Sequence, residues 1–237
     1  MKIDRALIIR RQGVKLSQDY AAVTAESCKK HGLDYEFIDA VEFLQCDDAF
    51  EKVGAFKQPD YNNSMGNCCC HASHIKSWDR IVEIDKPCII LEHDAVVLGD
   101  VTNIDIPDMQ VVTFGHRVAD INDYVPPNKI TSLVKIKKSV GVHACGLSPV
   151  TAKWLSDDAK TNGVSIGVDR WLMMQRRSGL PLYVAEPPQV VCWARQSTMK
   201  MQKNNNAKIN AKQSVKSQVV NYKESLTPGW FKGLKKK

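Results

Sequence analysis

The chain has 237 residues, 43% of them hydrophobic, which is enough to bury one sizeable core and leads us to expect one large domain. No apolar run approaches the ~20 residues that a membrane-spanning helix needs. The net charge of +7 is unevenly placed: Met199 to Lys237 holds ten lysines, no arginine and one acid, whereas the residues before it carry 23 Lys and Arg against 25 Asp and Glu. The basic excess therefore belongs to the tail and says nothing about the core domain.

The opening MKIDRALIIRR puts Asp4 and Arg5 where an export signal needs apolar residues, so a cytoplasmic protein is expected and the eight cysteines read as reduced thiols. Ala6 to Ile9 is a short apolar strand, followed by a polar turn at Arg10, Arg11, Gln12 and Gly13. Ser17 is placed to cap a helix running to about His31, with Ala21, Thr24, Ala25 and Cys28 on one face and Gly32 as its stop. Tyr35 to Val41 is a second strand, and this β-α-β opening argues for a parallel, doubly wound sheet. Glu42 to Met65 is less regular, with a loop at Pro59 to Ser64. A helix is expected to begin at Ser73, carrying Ile75, Trp78, Ile81 and Val82 on one face and ending before Pro87. Val111 to Phe114 is another strand, and Asp120 to Asn128, with two prolines, is an exposed loop. Ser148-Pro149 opens a helix that ends near Gly163, a further helix spans about Val168 to Ser178, and Leu182 to Ala185 and Val190 to Ala194 close the domain as strands.

The stretch around which the rest is arranged is Pro87 to Gly99, PCIILEHDAVVLG. Its continuous apolar run predicts a strand buried on both faces, delivering Glu92, His93 and Asp94 at its carboxyl end, where ligands of open α/β sheets collect. Carboxylates there lose hydration and need a donor or a cation in return. A hard divalent ion that grips substrate phosphates suits Glu92 and Asp94. The Cys- and His-rich run GNCCCHASH at Gly66 to His74 invites a zinc reading. Adjacent residues do not all face one tetrahedral ion, and no second Cys-x-x-Cys pair exists, so small buried thiols at a loop-to-helix junction are the preferred reading.

Taken in order, Cys70-x-x-Ser73-His74, Trp78 and then Ile90 to Asp94 (ILEHD) resemble glycosyltransferase family 25, the lipopolysaccharide-type and collagen-type sugar transferases, whose pattern is roughly G-C-x-x-S-H followed by I-L-E-D-D. The resemblance continues through Gly141 to Leu155, Val168 to Leu172 and Tyr183 to Met199, and so covers about Ala6 to Met199. The chain departs from the pattern at His93, in place of the middle acid, at Cys69 and Cys145, and at Ile9 to Arg11 in the turn on the nucleotide side.

The resemblance implies an α/β, GT-A-like fold: one Rossmann-type, mostly parallel sheet flanked by helices over residues 1–198, followed by a basic C-terminal tail over 199–237. It implies a UDP-linked hexose donor such as galactose or glucose, a glycan or lipopolysaccharide-type, lipid-linked acceptor, transfer with inversion, and Mn²⁺ or Mg²⁺. The donor would lie among Glu92, Asp94, Ser73, His74, Arg10 and Arg11, the ion on Asp94, Glu92 and His143, and Asp169 would be the base that takes the acceptor's proton. Two other readings stand beside this one: a non-catalytic sugar- or nucleotide-binding module that has kept the fold, and a metal-dependent hydrolase built on His74, Glu92 and Asp94. The tail, with Trp230 and Phe231 beside its lysines, suits peripheral contact with an anionic membrane and lacks a motif for specific nucleic-acid binding.

Overall fold

The structure is a computed structural model that describes residues 1–61, 64–115, 129–136, 141–175 and 179–192. In chain order its elements are β1 (Arg5–Arg10), α1 (Lys15–Lys30), β2 (Asp34–Asp39), α2 (Cys46–Glu51), α3 (Met65–Ile84), β3 (Cys88–Glu92), β4 (Ala95–Val97), β5 (Val111–Thr113), β6 (Ser132–Lys135), β7 (Ala144–Leu147), α4 (Pro149–Asn162), α5 (Val168–Gln175), β8 (Leu182–Glu186) and β9 (Val190–Cys192).

Seven strands form one sheet in the order β2-β1-β3-β7-β5-β8-β6, and β4 pairs with β9 in a separate ribbon. The β-α-β opening is parallel as expected, with Ile8 beside Phe37 on one side and Leu91 on the other. Beyond β3 the sheet is mixed: β7 runs antiparallel to both β3 and β5, and β6 antiparallel to β8. Five of the seven strands still share one direction, so the α/β, mostly parallel, helix-flanked architecture stands.

Side chains alternate across the central strands, which explains their unbroken apolar character. Leu7, Ile9, Cys88 and Ile90 face a core built with α2, α3, α4 and α5. Ala6, Ile8, Ile89 and Leu91 face the other core, beneath α1 and β4.

Several boundaries differ from the sequence expectation. The first helix starts at Lys15 after Val14, and Ser17, expected to cap it, lies inside, its Oγ accepting a hydrogen bond from Arg11 N. The next long helix begins at Met65, capped by Ser64, whose Oγ accepts from Asn67 N at 3.4 Å. Gly66 to His74 is therefore helix and not a junction. The acidic stretch is two strands joined by a tight turn at His93-Asp94. Ser148 caps α4 as expected, with Thr151 N donating to its Oγ. The short elements α2, β6 and β7 were not foreseen. The expected loop at 120–128, the ends of α5 and β9, and the whole lysine tail lie outside the described residues.

One cysteine reading is corrected. Cys46 and Cys68 are joined in a disulfide that ties α2 to α3, while Cys28, Cys69, Cys70, Cys88 and Cys145 stay outside it as thiols. Such a bond belongs to an oxidising setting and does not fit the reduced thiols expected of a cytoplasmic chain. No helix among the described residues is long and apolar enough to cross a membrane.

Candidate active site

The carboxyl ends of β1 and β3 lie side by side, because their parallel register sets Ile9 against Glu92. Antiparallel pairing of β3 with β7 then brings His143 opposite Glu92, whose N–H donates to the His143 carbonyl at 3.0 Å. From the helical layer, α3 contributes Cys70 and His74 one turn apart, on the face directed at the end of β3. The Cys70 thiol donates to Glu92 Oε1 at 3.7 Å. His74 Nε2 lies 3.5 Å from the same oxygen.

Cys70 is the hub. Burial pushes its thiol well above the ordinary range, and the charges of Glu92, Asp169 and Asp94 push it further in the same direction. The thiol is thus held protonated and donates to Glu92, which does not suit it to act as a nucleophile. The thiol meets Glu92 at the end of β3, and the charges of Asp94 in the turn after it and of Asp169 in the first turn of α5 also act on it, whereas the sequence reading used Cys70 only as the first residue of a motif.

The neighbouring acids Glu92 and Asp94 are driven apart. Burial works against the charge of Glu92, but the nearness and charge of His74, 3.5 Å away, together with the charges of His143 and His93, outweigh it and hold Glu92 down to about 2. Burial pushes Asp94 above the usual carboxylate range; His93 opposes this and the charge of Glu92 adds to it. Asp94 Oδ2 accepts from the Cys192 thiol at 3.3 Å, whereas Oδ1 is buried without a hydrogen-bond partner among the described residues. Separated titration of paired carboxylates in one site is the usual basis for dividing roles between them.

His93 faces the opposite way. Its ring stacks on Tyr20 at 5.9 Å, and its carbonyl accepts from Thr24 Oγ1 at 2.7 Å, so the residue in place of the family's middle acid fastens the turn to α1. His143 fits against glycine backbone: a Cβ on Gly115 would fall 2.0 Å from its Nε2, and one on Gly141 would fall 3.1 Å from its Nδ1. Asp169 accepts from Arg170 N at 2.8 Å and forms one wall of a cleft with Thr113, Gly141, Cys145 and Tyr183.

The remaining predicted residues sit apart from this cluster. Ser73 Oγ accepts from Val41 N at 2.9 Å and donates to Cys69 O at 2.6 Å, so its hydroxyl anchors α3 to the chain leaving β2. Arg10 pairs with Asp39 at 3.3 Å and lies over the Phe37 ring at 4.1 Å, and Arg11 pairs with Glu42. Both arginines lie at the carboxyl end of β1, on the same edge of the sheet as Glu92.

A family model described as Glycosyltransferase family 25 (LPS biosynthesis protein) matches residues 14–130. Residues 14–130 belong to glycosyltransferase family 25. The family 25 segment contains Cys70, Ser73, His74, Glu92 and Asp94, while Arg10, Arg11, His143 and Asp169 lie outside it. The match over residues 14–130 supports glycosyltransferase activity. No curated protein matches it at a significant level. Among solved structures it is similar to a glycosyltransferase involved in the glycosylation of the major capsid of PBCV-1, at 11% identity and a TM-score of 0.43, covering 83% of this chain and 99% of that one. It is also similar to the glycosyltransferase GlyE of Streptococcus pneumoniae TIGR4, at 8% identity and a TM-score of 0.44, covering 98% of this chain and 64% of GlyE. The apo form of GlyE gives 9% identity and the same TM-score and coverage.

Proposed function

We propose that the chain transfers a hexosyl group, galactose or glucose, from a UDP-sugar to a hydroxyl of a glycan or lipopolysaccharide-type acceptor, with inversion at the anomeric carbon. What supports this reading is the meeting of Glu92 with Cys70 and His74 at the carboxyl end of β3, next to the buried Asp94 Oδ1 that lacks a hydrogen-bond partner among the described residues, in a chain whose residues 14–130 match family 25. In an inverting displacement the acceptor oxygen bonds to the anomeric carbon as the bond to UDP breaks, and one base must remove the hydroxyl proton. Asp169 is our base, since it lies in the first turn of α5 and lines the cleft with Thr113 and Cys145.

Asp94 and Glu92, with His143 beside them, would hold Mn²⁺ or Mg²⁺. The buried Asp94 Oδ1 without a hydrogen-bond partner fits that role, because a cation would meet an oxygen whose desolvation is otherwise uncompensated. When bound, such an ion neutralises charge on a departing diphosphate. Arg10 and Arg11 extend this edge toward the donor's phosphates with planar, forked donors, and Asp39 and Glu42 fix their direction.

Incubation with a panel of UDP-sugars and Mn²⁺ tests the reading, and we expect donor binding with slow hydrolysis of one member. Asp169→Asn is expected to keep donor binding while transfer falls by about 10²-fold or more, the usual worth of a positioned base. Absence of binding and of hydrolysis across the panel would overturn the donor assignment. A folded Asp94→Ala variant that retains the biological role would favour the binding module instead. The tail is proposed to hold the enzyme near an anionic, lipid-bearing surface.

A further inference from the structure

Cys70 and His74 leave the same face of α3 because they are four residues apart on a helix. Glu92 Oε1 meets them from the end of β3, 3.7 Å from Cys70 Sγ and 3.5 Å from His74 Nε2. All three ligand atoms lie within 4.8 Å of one another. A tetrahedral zinc with sulfur at about 2.3 Å, nitrogen at about 2.0 Å and oxygen at about 2.1 Å sets the sulfur ~3.6 Å and the nitrogen ~3.4 Å from the oxygen. The fold already holds these separations.

A second observation points to a ligand independently. The His74 side chain is 1% exposed, yet its Nε2, aimed into this cluster, has no hydrogen-bond partner among the described residues. A buried imidazole nitrogen left unbonded costs free energy that a coordinated ion would return. We propose that Cys70, His74 and Glu92 form a binding site for a borderline divalent ion of the zinc class, with its fourth position open to water or a ligand.

The objection raised by the sequence, that adjacent cysteines do not share one ion, falls away because the helix sends them in different directions. Cys68 is consumed by the disulfide with Cys46, and Cys69 turns its thiol to the carbonyl of Phe43. Only Cys70 faces the histidine. The side chain of Glu92 is 29% exposed, which gives an ion a way in. The set shares Glu92 alone with the proposed Mn²⁺ or Mg²⁺ pair, and its thiolate and imidazole favour a softer ion than all-oxygen ligands do. Binding would release the Cys70 thiol proton to solvent.

The test uses the full chain, titrated with Zn²⁺ by calorimetry and with Co²⁺ by absorption. We expect one Zn²⁺ in this site and a thiolate-to-cobalt charge-transfer band. Cys70→Ser should lose the band and His74→Asn should weaken Zn²⁺ binding, whereas Cys69→Ser and Asp94→Asn should keep both. Because a substituted α3 could fail to fold, Zn²⁺ protection of Cys70 in the unaltered protein against a thiol reagent, read by peptide mass, is measured in parallel and should be complete. Absence of Zn²⁺ binding, absence of protection, or a band that survives Cys70→Ser would overturn the site. Loss of sugar transfer in Asp94→Asn with the cobalt band intact separates this site from the transfer chemistry.

Discussion

At the scale of single residues, the site depends on backbone clearance as much as on its acids. Gly115 leaves the space that the His143 ring occupies, so Gly115→Ala puts a methyl 2.0 Å from Nε2 and forces the ring out. Overpacking of this kind costs about 1–3 kcal/mol. Because the His143 carbonyl holds Glu92 N, donor binding should weaken along with thermal stability. Unchanged melting and donor affinity would refute the role given to this glycine. His71 makes a second residue-scale case. It is fully buried among Phe50, Trp78 and Trp171, with Nδ1 3.1 Å from Ile166 O. Burial, with some help from His74, lowers its pKa from 6.5 to about 3. The folded state therefore refuses a proton that the unfolded state accepts, and stability present above pH 6.5 is lost as pH falls toward 3. Between pH 7 and 5 that loss is about 2 kcal/mol, read as a shift in urea midpoint. His71→Asn should lose much less over the same interval, and an equal shift in both proteins would contradict the assignment.

Among elements, α3 is the piece on which the site is mounted. Its N-terminal half carries Cys70 and His74, and its C-terminal half crosses α4, where Asp79 accepts from Ser156 and Lys160. The Cys46–Cys68 bond fixes its first turns to α2 across a sequence separation of 22. Closing a loop of that length in the unfolded chain is worth about 3 kcal/mol in the chain-entropy picture. The double variant Cys46→Ser/Cys68→Ser should lose roughly that much in chemical denaturation, and unaltered protein should respond the same way to a thiol reductant. If reductant leaves the denaturation midpoint unmoved, the bond does not contribute as described.

For the molecule as a whole, the basic excess lies in the last stretch of the sequence, from Met199 to Lys237. The ten tail lysines act as hydrated point charges, suited to diffuse attraction, and each is worth about 1 kcal/mol near an anionic leaflet. Deleting 199–237 should leave a folded domain with intact donor binding and reduce co-sedimentation with anionic vesicles at low salt. Equal pelleting of the full and shortened chains, at low and high salt, would remove the membrane reading. Loss of folding would show that the deleted residues belong to the core.

The sequence by itself determined the local grammar. Continuous apolar runs at Ala6 to Ile9 and Cys88 to Leu91, the Ser148-Pro149 start of α4 and the ordered motif from Cys70 to Asp94 were legible, because each depends on neighbours close in the chain. The family and the α/β sheet followed from those. Short elements were not legible: α2 and β7 have too few residues to show a period, and the start of α3 was hidden because a run of thiols and small residues carries no amphipathic signal. Ser64, three residues before Asn67, was the signal that could have extended α3 and placed Cys70 and His74 on one face. Only the tertiary structure set His143 across from Glu92, turned His93 onto Tyr20, spent Ser73 on Val41 and put Asp169 on the wall of a cleft with Cys145. Those relations span tens of residues and are fixed by strand register and helix packing, which no local spacing encodes.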